Sequence, residues 1–269
     1  MNDNTIGFIG YGNMGAAIGA AILRNHQTRI LICEKNDRLV NQQTNAGINA
    51  EFCDLKTLFQ KSTIVFLCVK PQVVSDLAND CSMFIEPHHT LVSMLAGTST
   101  ATLSNLFQTQ NIVRIMPNTP AILGAGVTGL YVMDQVPDAQ QKVVHGLCDL
   151  FGQTIALDDE DNMHVITALS GSGPAFFYQF IAAFKSFGEA NGLDEATALQ
   201  AAIGTMYGAA KMLEKEPNPE ALVQRVASPN GTTQAGLDAY DALNVEGGIT
   251  GVLAAAKQRS IELMMEDNV

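Results

Sequence analysis

Residues 5–23 read TIGFIGYGNMGAAIGAAIL: a β-branched run, a glycine-rich turn and an Ala-rich helical pattern with nothing between them. Gly10, Gly12 and Gly15 carry the GxGxxG spacing. In a strand–turn–helix unit the first glycine permits the tight turn and the second lets the backbone approach a pyrophosphate. The third lets helix and strand pack closely. The anion then rests on the helix N-terminus, where free backbone N–H groups and the dipole favour it. Glycines in a loop are more often plain turns, but here a strand and a helix flank the triplet. Glu34 also ends the next strand pattern, where an acidic residue bonds an adenosine ribose. The expectation is a dinucleotide on a Rossmann unit. Glu34 accepts from the 2′-OH of NAD(H) and repels a 2′-phosphate, whereas Lys35 beside it neutralises one, so NADP(H) and NAD(H) both stay open.

The same alternation continues outward from this unit. Short β-branched runs at 5–9, 29–33, 63–69, 90–95, 111–115 and 127–132 alternate with helical patterns, the signature of βα units and a doubly wound parallel sheet. From about Glu160 Ala-rich segments with helical spacing take over. Phe176, Phe177, Phe180, Ile181, Phe184 and Phe187 share one helix face, Asp194 opens another long helical stretch, and a last one starts near Gly248. The expected architecture is α/β: a dinucleotide-binding domain over 1–160, then an all-α domain over 161–269. The helical half is apolar on wider faces than one layer buries, which predicts pairing with a second copy.

Three loops follow successive strand patterns: FLCVKP (66–71), SMLAG (93–97) and MPNTP (116–120), the last carrying Asn118 between two prolines. Open α/β sheets bind ligands at the carboxyl ends of their strands. Each loop alone reads equally well as a strand-ending turn; three at one edge point to a site. In the helical half SGSGPAF (170–176) and SPNGTTQAGL (228–237) are too specialised for bundle loops. Asn230 and Gly231, both tolerant of positive φ, precede Thr232 and Thr233 at a helix start. That is an ordinary N-cap or, with two hydroxyls beside free N–H groups, a cradle for a carboxylate.

The chain of 269 residues, 47% hydrophobic, is long enough for two cores, and a net charge of −12 offers no basic stripe for nucleic acid. Cys33, Cys53, Cys68, Cys81 and Cys148 are scattered, with no CxxC pair and no zinc spacing, which reads as free thiols in a reducing compartment. The polar start MNDNT and the lack of a long apolar run lead us to expect a cytoplasmic protein with no membrane partner.

GFIGYGNMG, VKP, MPNTP, SGSGPAF and SPNGTT, in this order and at these separations, resemble the pyrroline-5-carboxylate reductase family over essentially the whole chain. The stretch from Leu222 through VASPNGTTQAGL to Asp241 is similar to that family's C-terminal signature and is the most specific of the five. The resemblance implies NAD(P)H-dependent reduction of 1-pyrroline-5-carboxylate to L-proline, and homodimers interlocked through the helical halves, often in rings of dimers. It places cofactor contacts on Ile9, Gly10, Tyr11, Gly12, Asn13 and Met14, with Gly15 completing the loop. Further contacts fall on Glu34, on Cys68, Val69, Lys70 and Pro71, and on Met94, Leu95 and Ala96; Asn118 joins them from the MPNTP loop. Substrate contacts fall on Glu216, Thr232 and Thr233, with Ser228, Asn230 and Gly231 from the same loop. Three departures stand out: Asn230 replaces a usual second glycine, Tyr240 replaces the usual Leu, Met or Phe, and no Asn near Asp54 and Leu55 matches one often found before the VKP strand.

A cyclic imine bearing a carboxylate needs hydride at its carbon, a proton at its nitrogen and a dock for its carboxylate. Thr233 is the catalytic candidate, its hydroxyl bonding the ring nitrogen, although water or a pre-protonated iminium serves the same proton balance. No metal is required, and His26, His88, His89, His145 and His164 sit in no motif of the expected site. Orientation should contribute several kcal/mol. Two other readings compete. A β-hydroxyacid dehydrogenase shares GFIGxGxMG but needs a Lys just beyond a glycine-rich turn, where this chain has aromatics and reaches Lys185 three turns later. A non-catalytic redox sensor has no use for SPNGTT.

Overall fold

The structure is a computed structural model that describes residues 5–25, 28–45 and 48–266; His26 lies outside them. Its elements are β1 (Ile6–Ile9), α1 (Asn13–Asn25), β2 (Ile30–Cys33), α2 (Asp37–Asn45), β3 (Ala50–Phe52), α3 (Leu55–Lys61), β4 (Ile64–Leu67), α4 (Val74–Cys81), β5 (Thr90–Ser93), α5 (Thr100–Phe107), β6 (Ile112–Met116), β7 (Gly126–Val132), α6 (Asp138–Asp149), β8 (Gly152–Ala156), α7 (Asn162–Ile166), α8 (Gly173–Ala190), α9 (Glu195–Lys215), α10 (Pro219–Val226), α11 (Thr232–Ala242) and α12 (Val245–Glu266). The strands form one sheet in the order β3-β2-β1-β4-β5-β6-β7-β8. Alternate residues feed two cores: Ile6, Phe8, Ile30, Ile32 and Phe66 pack on one face, Ile9, Leu31, Val65, Leu67 and Leu91 on the other. Burial on both faces explains why these strands read as continuous apolar runs.

The sheet departs from an all-parallel expectation at one end. β7 runs antiparallel to β6, and β8 runs parallel to β7. Only nine residues join β6 to β7, and their sole element is a 3₁₀ turn, Thr119–Leu123. A parallel return needs a crossover of a dozen residues or more, so the chain must double back. β3 and β8, unforeseen in the sequence, are only partly buried, which leaves their patterns without a clean apolar side.

The chain divides into two compact units, Met1–Ser172 with Ala256–Val269, and Gly173–Ala255. In the first, Arg114 of β6 is 1% exposed and donates to Glu160 Oε1 at 2.8 Å. The same carboxylate accepts from the Thr100 N–H (2.8 Å) and hydroxyl (2.5 Å) at the start of α5. The end of α12 belongs to this unit: Ser260 Oγ lies 2.9 Å from His164 Nδ1, and Gly97, at φ +78°, lets the backbone of Leu263 come close. In the second unit α8 packs on α9, where Asp194 caps the helix by accepting from the Thr197 N–H at 3.0 Å. The phenylalanine face of α8 is not buried within the chain: Phe177, Phe184 and Phe187 are 56%, 59% and 72% exposed, and Ile203 and Tyr207 of α9 are exposed as well. Among the described residues no helix is long and apolar enough to cross a membrane.

Candidate functional site

The sheet order reverses between β1 and β4, whose neighbours lie on opposite sides. At such a switch point the loops part and leave a crevice at the carboxyl ends of the strands. A cavity of 410 Å³ opens there, lined by Ile9, Gly10 and Gly12 after β1, Cys33 to Asn36 after β2, and Cys68 to Lys70 after β4. The three glycines divide the work. Gly10 sits at φ +83°, and a Cβ on it would stand 3.0 Å from the Cys68 backbone. A Cβ on Gly15 would stand 3.0 Å from the Gly10 carbonyl oxygen. Around Gly12 nothing lies within 4 Å of where a Cβ would be, so it alone faces open space in the cavity. α1 begins at Asn13 with no acidic residue in its first turn, which leaves its positive end free for a phosphate. These residues fit a dinucleotide.

Glu34 lines the cavity, and its carboxylate is fixed: Oε2 accepts from the Tyr11 N–H at 2.7 Å and Oε1 from the Asn36 N–H at 2.9 Å. Lys35 donates to Asp80 Oδ2 of α4 at 2.8 Å. The side chain of Tyr11 points away from the cavity; it is 1% exposed and meets Phe8 edge-on. Its hydroxyl has no hydrogen-bond partner among the described residues, and burial pushes its pKa up to about 12. Burial also raises the Cys68 thiol well above its ordinary value, so this cavity wall is not a thiolate.

The other expected cofactor residues stand around the cavity rather than in its lining. Asn13 is exposed at the helix start, Met14 and Met94 pack against one core, Leu95 is buried in the other, and Ala96 is exposed. Pro71 opens a 3₁₀ turn after Lys70. Asn118 has a structural use: it is 6% exposed, donates from Nδ2 to the Ser170 carbonyl (3.0 Å) and accepts the Val127 N–H at Oδ1 (2.9 Å). Its amide therefore ties the MPNTP loop to Ser170 and Val127 with one N–H and one oxygen lone pair, half of its hydrogen-bonding capacity. Sequence reasoning missed Leu39, Leu55, Val73, Asp76 and Leu77, which complete the cavity. Leu55 stands where an Asn was sought, and Asp54 caps α3 instead.

The expected substrate residues all lie in the second unit. Asn230 adopts φ +60°, as a turn residue with a short polar side chain can. Gly231 does not: it is an extended N-cap at φ −83°, and a Cβ there would crowd the Ser228 hydroxyl and stand 3.0 Å from the Ser228 carbonyl oxygen. With no side chain capping α11, the N–H groups at Thr232 and Thr233 are left to other acceptors, and both threonines are exposed. Glu216 ends α9 and takes both its oxygens to Arg225 Nη2, at 2.8 and 2.7 Å. Arg225 was not foreseen, since its pairing spans nine residues and a helix break. Lys185 is held by Glu195 at 2.7 Å, unlike the free lysine that an alcohol oxidation needs. All five cysteines are free, and among the described residues no group of His, Cys, Asp or Glu converges as a metal site.

Comparison with known proteins accords with this geometry. Residues 160–263 match the family described as pyrroline-5-carboxylate reductase dimerisation, and residues 5–97 match the family described as NADP oxidoreductase coenzyme F420-dependent. The chain is 37% identical to a pyrroline-5-carboxylate reductase of Pseudomonas aeruginosa over 98% of both chains. It is 32% identical to one of Haemophilus influenzae over 98% of both. Among solved structures, a pyrroline-5-carboxylate reductase from Coxiella burnetii is similar at TM-score 0.89 and 29% identity, over 97% of this chain and 99% of that one. The enzyme of Plasmodium falciparum with NADP bound shares the fold, at TM-score 0.87 and 24% identity over 98% and 99%.

Proposed function

Because the chain belongs to the pyrroline-5-carboxylate reductase family, we infer that it reduces 1-pyrroline-5-carboxylate to L-proline, the last step of proline synthesis, as a homo-oligomer using NAD(P)H. The observation that carries this is the full-length 37% identity to a reductase of that name, which spans the glycine loop and SPNGTT alike. A reduced nicotinamide dinucleotide held at Gly12 and the start of α1 would supply the hydride for the imine carbon.

The chain's own residues set the rest. Gly12 and the start of α1 take the pyrophosphate, and Glu34 takes the adenosine ribose. The uncapped N–H groups at Thr232 and Thr233 hold the substrate carboxylate, an anion at a helix N-terminus. The Thr233 hydroxyl hydrogen-bonds the ring nitrogen, and a proton from that hydroxyl, made good from solvent, or directly from water balances the C=N π pair that moves onto nitrogen. Arg225 holds both oxygens of Glu216, the further substrate contact in this reading. The exposed aromatic face of α8 is covered by a second copy, giving a dimer, with rings of dimers the larger form and the cytoplasm the setting. The domain division we propose follows chemistry: cofactor on residues 1–160, substrate and dimer contacts on 161–269.

A spectrophotometric assay of NADH and NADPH oxidation with 1-pyrroline-5-carboxylate tests the activity. Turnover dependent on the imine is expected, and oxidation of neither cofactor overturns it.

A further inference from the structure

NADH and NADPH differ by one phosphate on the adenosine 2′ oxygen, and the residues after β2 sort the two; the inference rests on the reductase activity above. Glu34 is not a mobile surface acid. Its two oxygens are pinned by backbone donors, Tyr11 from the glycine loop and Asn36 from its own turn, so a negative charge is held on the cavity wall. Each oxygen keeps acceptor capacity for a ribose hydroxyl, while a dianionic phosphate at the same place meets like charge.

Lys35 is the cation placed to offset that charge. It instead donates to Asp80 on α4, while Asp76, one turn earlier on α4, lines the cavity along with Lys35. The Lys35–Asp80 pair is solvent-exposed, at 77% and 48%, and its own strength is small. What counts is where it leaves the ammonium: as a pair, Lys35 and Asp80 present no net charge to an incoming phosphate. Lys35 is held charged, mainly by its hydrogen bond to Asp80, so its neutralisation by the partner is electrostatic and not a loss of proton.

We propose that this chain takes NADH in preference to NADPH, with Glu34 selecting the free 2′-hydroxyl and Asp80 acting as a positioning residue that draws Lys35 away from the 2′ side. The family matched over residues 5–97 is described by NADP, and the preference for NADH is argued from residues 34, 35 and 80 alone.

The test uses the full-length protein and two readouts, kcat/KM with each cofactor and calorimetric titration with 5′-AMP and adenosine 2′,5′-bisphosphate. For the unaltered protein kcat/KM should favour NADH by about 10-fold or more. 5′-AMP should bind more tightly than the bisphosphate. Glu34→Ser should remove most of that difference. Asp80→Asn should tighten the bisphosphate about 3-fold at low salt, leave 5′-AMP unchanged, and lose the gain at high salt. Tighter bisphosphate binding by the unaltered protein overturns the proposal. So does an Asp80→Asn variant that moves both probes together or neither, since a merely structural residue acts alike on both. If no cofactor supports imine reduction, the function falls while the two nucleotide probes still rank the pocket.

Discussion

Gly12→Val separates the roles of the glycines, because the structure leaves space at Gly12 and none at Gly10. At Gly12 no atom stands within 4 Å of the new Cβ, and its backbone is outside the left-handed region. The fold should therefore tolerate valine to within about 0.5 kcal/mol, as at an ordinary surface site. Gly10→Ala forces a side chain into φ +83° and 3.0 Å from the Cys68 backbone. Backbone strain costs about 1 kcal/mol and crowding brings the total to about 1–3 kcal/mol. For a unit of this size that is a fall of roughly 2–10 °C in Tm. The two methyls of the introduced valine project into the 410 Å³ cavity, where a pyrophosphate is expected. Crowding of about 1–3 kcal/mol there weakens dinucleotide binding roughly 5- to 150-fold. Differential scanning calorimetry with NADH and NADPH titrations on both variants reads the two effects separately. An unaltered cofactor affinity in folded Gly12→Val refutes the placement of the pyrophosphate. A Gly12→Val protein that melts as early as Gly10→Ala refutes the steric reasoning.

Thr233→Ala should lower kcat about 10-fold if the hydroxyl only positions the ring nitrogen, and about 100-fold if it donates the proton. Thr233→Ser should recover most of either loss; an alanine variant with ordinary kcat and KM makes Thr233 a plain helix-start residue. The imidazoles of His89 and His164 are held below the ordinary 6.5 by burial, helped at His164 by the Arg114 guanidinium. Their neutral forms are favoured in the fold, so stability is complete above about pH 6.5 and falls as acid drives protonation through the lowered values. Urea midpoints across that range should show the fall, smaller in His164→Gln, and an identical slope in that variant removes His164 as a cause. Light scattering at micromolar concentration should find a dimer or larger, and Phe187→Glu should shift it toward monomer; a monomer in the unaltered chain refutes a covered α8 face.

The glycine loop was legible because strand, turn and helix are adjacent in sequence and each has its own local signal. The same holds for α8 and for α9 with its Asp194 cap, whose residues interact within a few positions of one another. What escaped depends on distant partners. The direction of β7 follows from the short link after Met116, a constraint on closure and not on composition. Asn118 reads as a residue of a rigid loop, and its bond to Ser170, 52 residues away, has no local signal. The pinning of Glu34 by Tyr11 spans 23 residues, so sequence placed the carboxylate yet could not tell that it is immobile.

The helices from Gly173 to Ala255 are an insertion into the first unit, which resumes at Ala256. Synthesis order then matters. At about 5–20 residues per second, the sheet waits on the order of 4–17 s after Ser172 before the segment bearing Ser260 and Leu263 is made. During that interval His164 and the Gly97 turn have no lid from α12, and the nascent sheet is most open to chaperones and proteases.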